Sequence, residues 1–183
     1  ELSSKNLSQI YTFWTAITPG TAFRDIYELS PGHYMVYNRK GLFIKQFWHL
    51  NYTGSNNNIS FPDAVEQLGE LLRDAVRIRL RADVEVAAYL SGGLDSSSTV
   101  AMIKEIEPGI LNTFSIGFED PDFDETSYQN EAVGYLNTRH RSITCTSEEI
   151  SNSFPRVVWH SETPVTRTAP APMYLLSGLV RKN

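Results

Sequence analysis

The chain has 183 residues and a single cysteine, Cys145, which removes any internal disulfide framework. No apolar run approaches the roughly 18 residues that a membrane-spanning helix needs. Heptads and a regular glycine period are both missing, which excludes coiled-coil and collagen-like chains. Positive charge is also scarce. Lys and Arg total 16 against 21 Asp and Glu, a net charge of −5, so no electrostatic footprint for nucleic acid is present. The sequence contains neither Gly-Lys-Ser/Thr nor Gly-x-Gly-x-x-Gly, which excludes the Walker loop and the dinucleotide fingerprint. What it does contain is 41% hydrophobic and 11% aromatic residues, enough to exclude disorder and to build a core. The length allows one domain or two small ones.

Two compositional regions meet near residue 60. In the first, His33–Tyr37 and Leu42–Trp48 are β-rich runs around the polar turn Asn38-Arg39-Lys40-Gly41, which predicts a hairpin. Two strands are marginal alone, so residues 1–50 read as the tail of another domain. Residues 51–60, rich in Asn, Ser and Gly, read as a linker. The chain begins with Glu1 and ends in a helix-like run, and it reads as a piece of a longer protein.

From residue 61 onward, helix and strand patterns alternate. Ser60-Phe61-Pro62-Asp63 has the form of a helix start, and Val65, Leu68, Leu72, Val76 and Leu80 follow at helical spacing. Val84–Leu90 reads as a strand covered on both faces. Ser96–Ile106 is predicted as a helix, Leu111–Phe118 as a strand, Asp124–Leu136 as a helix capped by Asp124, and His140–Thr144 as a strand. Ser147–His160 is predicted mostly helical, with Pro155 ending or kinking it, and Pro172 opens a last helix. The alternation predicts an α/β fold with a parallel sheet, in which ligands sit beyond the carboxyl ends of the strands. That places chemistry just after Leu90 and just after Phe118. Unpaired apolar surface and a bare strand edge would favour self-association into a homo-oligomer.

The segment after the first of these strands is Ser91-Gly92-Gly93-Leu94-Asp95-Ser96-Ser97-Ser98. A polyphosphate needs backbone N–H groups pointing at it and a helix start behind them. Gly92 and Gly93 lack a Cβ and allow close approach, while Ser91, Ser96 and Ser97 add hydroxyl donors. A carboxylate at Asp95 would repel phosphate by itself, but it makes sense as a ligand of a bridging Mg²⁺. The bland alternative is a Gly-Gly turn with a capping Ser and Asp. The strand before the segment and the helix after it favour the anion site.

Ser-Gly-Gly-Leu-Asp-Ser resembles the PP-loop of the N-type ATP pyrophosphatases, of the adenine nucleotide alpha hydrolase-like fold. The run Val86–Ser97, then Thr113–Phe118 with Phe123-Asp124-Glu125, His140, and Pro172–Ser177 resemble the glutamine-hydrolysing asparagine synthetases. Phe23–Tyr34 and Trp48 resemble the end of that family's glutaminase domain. The resemblance implies a partial doubly wound parallel sheet, residues 61–183, preceded by a hairpin remnant of a glutaminase domain. It implies ATP and Mg²⁺ as cofactors, with Ser91, Gly92, Gly93, Leu94, Asp95, Ser96 and Ser97 around the pyrophosphate and Asp95 toward the metal. Leu90 and Ile116 would flank adenosine, where backbone pairs with the adenine edge. Asp124 reads either as a helix cap or as a group near the nucleotide, and Arg167 either as a pyrophosphate contact or as a solvated loop arginine. His33 and His140 read as structural.

The implied reaction joins aspartate with ammonia drawn from glutamine, in a cytoplasmic enzyme with no nucleic acid or membrane partner. The family's second Ser-Gly-x-Gly-x-Asp-Glu segment and a later lysine do not occur in these 183 residues. Cys145 lies at the end of a predicted strand and reads as a buried thiol, so no glutaminase nucleophile is present. This piece alone is therefore expected to lack synthetase activity and to bind ATP weakly or not at all. Two rivals share the pattern: a β-lactam synthetase or peptide macrolactam cyclase, and a nucleotide-binding relative without chemistry.

Overall fold

In the computed structural model, which describes residues 1–52 and 59–183, the chain divides into two compact units. One comprises Glu1–Asn57 with Pro155–Thr168, the other Asn58–Phe154 with Ala169–Asn183. The linker expectation, residues 51–60, falls largely on the segment outside the described residues.

The first unit opens with a helix that the sequence patterns did not suggest, α1, Ser4–Phe13. Ser3 caps it, its Oγ accepting from the Asn6 amide at 3.4 Å, and Ile10 is its buried residue. Asn6 Nδ2 in turn donates to the Thr21 carbonyl at 2.6 Å. The hairpin follows. β1, His33–Asn38, pairs antiparallel with β2, Gly41–Gln46, in a register that runs from His33↔Gln46 to Asn38↔Gly41. The tight connection depends on Gly41 at φ +118° and on Asn38 Oδ1 accepting from the Lys40 amide at 2.8 Å. Both strands are almost wholly exposed.

The second unit begins with α2, Phe61–Arg79. Ser60 Oγ accepts from the Asp63 amide at 3.3 Å and donates to Asp63 Oδ2 at 2.7 Å, with Pro62 in the first turn. A three-stranded parallel sheet follows, made of β3 (Ala87–Tyr89), β4 (Asn112–Phe118) and β5 (Arg139–Cys145), in spatial order β3-β4-β5. Its connections and its end are α3 (Leu94–Ile106), α4 (Thr126–Leu136), α5 (Ser147–Ser161) and α6 (Pro170–Arg181). Leu90, Val100, Ile103 and Leu111 form the buried core, with Val76 and Leu80 of α2 packed against it. The α/β class with parallel strands is thus as expected. Among the described residues no helix is long and apolar enough to cross a membrane.

Several boundaries differ from expectation, each for a physical reason. β3 covers only Ala87–Tyr89, because β4 offers ladder partners from Asn112 onward and Ala87 is the first residue to meet one. It is also an edge strand: Ala87 and Tyr89 are exposed, and the central, two-sided position belongs to β4. Val84, expected inside the strand, is 78% exposed. α3 starts at Leu94, two residues early, so Asp95 lies in its first turn. α5 continues through Pro155, which neither ends nor delimits the helix, although the division between the units falls at that residue. α6 opens at Pro170, and both Pro170 and Pro172 occupy a first turn, where a missing N–H costs nothing. Outside the core much apolar surface is uncovered, including Phe61, Val65, Leu68 and Leu71 of α2.

Candidate functional site

At the carboxyl end of β3 the Leu90 amide makes a last sheet bond, donating to the Phe114 carbonyl at 2.9 Å. The Leu90 side chain is fully buried in the core, so only its backbone reaches the strand end. The chain then turns through Gly92 at φ +81°, a conformation that disfavours any residue with a Cβ. A Cβ at Gly92 would lie 2.6 Å from both the Gln129 backbone nitrogen and the Tyr128 backbone carbon, so the loop rests directly on the first turns of α4.

The loop holds its shape through its own hydroxyls. Ser96 Oγ accepts from the Ser91 amide at 3.2 Å, lies 2.9 Å from Ser91 Oγ, and donates to the Gly93 carbonyl at 3.2 Å. Ser91 Oγ accepts from the Gly93 amide at 3.3 Å. Ser91, Gly92, Gly93 and Ser96 are therefore brought together as one closed turn.

Gly93 is the N-cap of α3 and has no side chain to accept from the first-turn amides. The N–H groups at Leu94, Asp95 and Ser96 thus stand at the positive end of a 13-residue helix without a side-chain cap. Leu94 is 83% exposed and Asp95 is exposed. Ser97 Oγ is buried and has no hydrogen-bond partner, an acceptor and donor left open behind the loop. Uncapped amides, a bare glycine backbone and an unpaired hydroxyl suit the oxygens of a phosphate. One exposed carboxylate, Asp95, suits a cation that takes most of its ligands from phosphate and water, as Mg²⁺ does. Among the described residues no group of three His, Cys, Asp or Glu could hold a metal by protein ligands alone.

The neighbouring strand β4 runs past the end of β3. Tyr89↔Phe114 is the last ladder pair, and Ser115–Phe118 continue beyond it. Ile116, expected beside adenosine, lies in this overhang, and its carbonyl accepts from Gln129 Nε2 at 2.9 Å. Asp124 is not the cap of α4. Glu125 holds that position without a side-chain hydrogen bond. Asp124 Oδ1 instead accepts from Thr126 Oγ1 at 2.6 Å and from the Phe118 amide at 3.1 Å, tying the end of β4 to the start of α4. Those two donors, the Thr126 hydroxyl first and the Phe118 amide second, hold its carboxyl below the usual carboxylate range. Gly117 leaves the room for this, since a Cβ there would lie 2.7 Å from Thr126 Oγ1.

Arg167 belongs to the other compact unit, where its guanidinium carbon stands 4.2 Å from the ring centroid of Trp14. His33 Nδ1 pairs with the Pro31 carbonyl at 2.8 Å, a turn contact. Cys145 is buried and unpaired, and burial, with Glu149 second, pushes its thiol pKa up, the opposite of a nucleophile's requirement. His140 lies between Thr113 and Ser115 at the paired end of β4 and β5. The residue that sequence reasoning missed is Gln129. The usable signal was Thr113 and Ser115, two polar residues on one face of an otherwise apolar strand, with His140 facing Thr113 in register.

Backbone donors grouped at the carboxyl edge of a parallel sheet define an α/β protein with an anion-receptive strand end. The family profile described as asparagine synthase matches residues 67–183. The glutamine-hydrolyzing asparagine synthetase 1 of Bacillus subtilis is 29% identical over 184 residues, covering 100% of this chain and 29% of its own length. Asparagine synthetase 3 of the same organism is 35% identical over 130 residues, 67% of this chain and 21% of its own length. The amidase chyE of Penicillium rubens is 31% identical over 162 residues, 79% of this chain and 24% of its own length. The chain belongs to the asparagine synthase family, and it spans less than a third of the length of these relatives.

Proposed function

We propose that this chain carries the nucleotide half of an ATP-dependent amide-forming ligase of the asparagine synthetase type. The observation that supports it most is the loop itself: Gly92 at positive φ, closed by Ser91 and Ser96, delivering an uncapped helix start at Gly93. On this reading Ser91–Ser97 hold the pyrophosphate part of ATP, and the Leu90 and Ile116 backbone flanks adenosine. Asp95 would hold a Mg²⁺ ion there, which would supply positive charge to offset that of the phosphates.

The chemistry follows from where charge grows. The β-carboxylate of aspartate attacks the α-phosphorus, the bond to the bridging oxygen breaks, and pyrophosphate leaves with its electrons, giving β-aspartyl-AMP. Ammonia then attacks the acyl carbon, loses a proton, and expels AMP to leave asparagine. Amides fixed before reaction at the loop and at the α3 start meet the growing negative charge without reorganising, which is the usual source of the largest rate term. On the same reading residues 1–50 are the last strands of a glutaminase-type domain, residues 51–60 link it, and residues 61–183 begin the synthetase domain. The 183 residues by themselves then form no asparagine.

A second reading keeps the site and changes the carboxylate, as in a β-lactam synthetase or a peptide macrolactam cyclase. It is favoured by relatives named as amidases that match at the same level as the synthetases. The test is ATP–pyrophosphate exchange in the complete gene product that contains these residues, with aspartate against other carboxylic acids. Aspartate-dependent exchange that falls at least a hundredfold in Asp95→Ala is the expected result. Exchange with another acid alone selects the second reading. No exchange with any acid, or wild-type exchange in Asp95→Ala, overturns the nucleotide assignment or the metal role respectively.

A further inference from the structure

The polar groups buried in the parallel sheet form one continuous chain. Thr138 Oγ1 lies 2.8 Å from Thr113 Oγ1, which lies 2.9 Å from His140 Nδ1. His140 Nε2 lies 2.9 Å from Ser115 Oγ, which donates to Gln129 Oε1 at 2.7 Å. Gln129 Nε2 donates to the Ile116 carbonyl at 2.9 Å. Thr113, Ser115 and Gln129 are each at most 3% exposed, so none can turn to water instead.

The inventory of donors fixes the directions from the Ile116 carbonyl back to His140 Nε2. A carbonyl cannot donate, so Ile116 requires the NH₂ group of Gln129 and turns the amide oxygen toward Ser115. The Ser115 hydroxyl spends its one hydrogen on that oxygen, so it must accept from His140 Nε2–H. A neutral imidazole with its proton on Nε2 has an acceptor at Nδ1, which takes the Thr113 hydroxyl, and Thr113 accepts from Thr138. In that form Thr113 and Ser115 each donate once and accept once. Burial lowers the His140 pKa, which favours this neutral form over the imidazolium.

Gln129 also touches the loop. Its backbone nitrogen is among the atoms that a Gly92 Cβ would strike at 2.6 Å. One residue therefore seats the turn at Gly92 with its main chain and holds the strand overhang at Ile116 with its side chain. Both targets are backbone, so neither contact depends on which side chains surround a ligand.

We propose that Gln129 is a positioning residue that locks the Gly92 turn and the Ile116 carbonyl into one frame, its amide held between the Ile116 carbonyl and the Ser115 hydroxyl. The inference rests on the nucleotide reading above, in which those two backbone segments bind opposite ends of ATP. Gln129 touches no reacting atom; it sets the distance between the two grips.

The experiment uses the complete gene product. Gln129→Glu keeps the acceptor for Ser115 but turns a second acceptor on the Ile116 carbonyl, in nearly the same volume. The expected result at pH 8 is a KM for ATP in the exchange reaction raised about tenfold or more, with kcat changed less than about threefold. Gln129→Met, which supplies neither partner, should act in the same direction. A KM within about twofold of wild type in both variants overturns the inference while leaving the nucleotide reading intact. A wild-type protein that shows no ATP–pyrophosphate exchange with any carboxylic acid overturns that reading, and this inference with it. Should the variants fail to fold, ¹⁵N NMR of the wild type decides: an Nε2–H tautomer at His140 and slowly exchanging Gln129 side-chain protons are expected. A neutral Nδ1–H tautomer at pH 7, or fast-exchanging Gln129 side-chain protons, overturns the proposal.

Discussion

Gly92→Ala should unsettle the second unit more than any other single methyl added to the loop. Two costs combine at this position. The backbone sits at φ +81°, where an L side chain is strained by about 1–2 kcal/mol. The new Cβ would also lie 2.6 Å from two backbone atoms of α4 and 2.8 Å from Tyr128 Cβ, and helix backbone cannot rotate aside as a side-chain tip can. Forcing the loop and α4 apart adds about 1–3 kcal/mol. The sum is about 2–5 kcal/mol, a large share of the 5–15 kcal/mol typical of a domain. With a urea m value of ~2 kcal/mol/M, the unfolding midpoint should fall by about 1–2.5 M.

Far-UV circular dichroism is the appropriate signal, because Trp14, Trp48 and Trp159 all belong to the other unit. Two controls separate the costs. Gly93→Ala, at φ −71° with nothing closer than Ser91 Oγ at 3.4 Å, should move the midpoint by less than about 0.5 kcal/mol. Gly41→Ala, at φ +118° with nothing within 4 Å, should show strain alone, read by tryptophan fluorescence in its own unit. If Gly92→Ala costs no more than Gly41→Ala, the loop does not rest on α4 and the reasoning fails.

Two further outcomes are expected. Ser60→Ala removes the side-chain cap of α2 and should cost about 1 kcal/mol, visible as lost helicity near the start of α2 and as a lower urea midpoint. His140 has a lowered pKa in the folded state, so the unfolded chain binds its proton first as pH falls. Stability from this group is complete above the ordinary histidine value of 6.5 and is lost as pH drops below it toward the folded pKa. Urea midpoints measured from pH 7.5 to 5 should therefore slope downward in the wild type and less so in His140→Gln; equal slopes would show that His140 titrates as freely folded as unfolded. Asp124 acts with the same sign only below 3.8, outside this window.

Local patterns carried much of the fold. The spacing of Val65, Leu68, Leu72, Val76 and Leu80 gave α2, and the turn residues between two β-rich runs gave the hairpin. β4 was legible because Phe114, Ile116 and Phe118 alternate with smaller residues along one short run. Errors arose where the deciding partner is remote. Val84–Val86 look like strand residues, but β4 provides no ladder partner before Asn112. Pro155 looks like a helix stop, yet α5 loses only one hydrogen bond there and keeps Val157 buried. α1 escaped notice because Ile10 is its lone buried residue, too few to mark a face. At the site, the sequence of the loop announced its turn and its helix start. Gln129 was silent: a glutamine in a helix has no local signature, and its role exists only once β4 and β5 are in register. Arg167 and Trp14 were likewise invisible as a pair, being far apart along the chain.

The overhang of β4 past β3 has a consequence for how such a surface ages. On the proposed reading, what it would offer a nucleotide at Ile116 and along the Gly92–Ser96 turn is main chain, present whatever letter the gene writes. Drift can therefore erase most of the side chains without erasing the grip, provided the few residues that fix the backbone persist. In such a lineage the residues to watch are the small and the hidden ones, since they carry the shape that the exposed ones merely decorate.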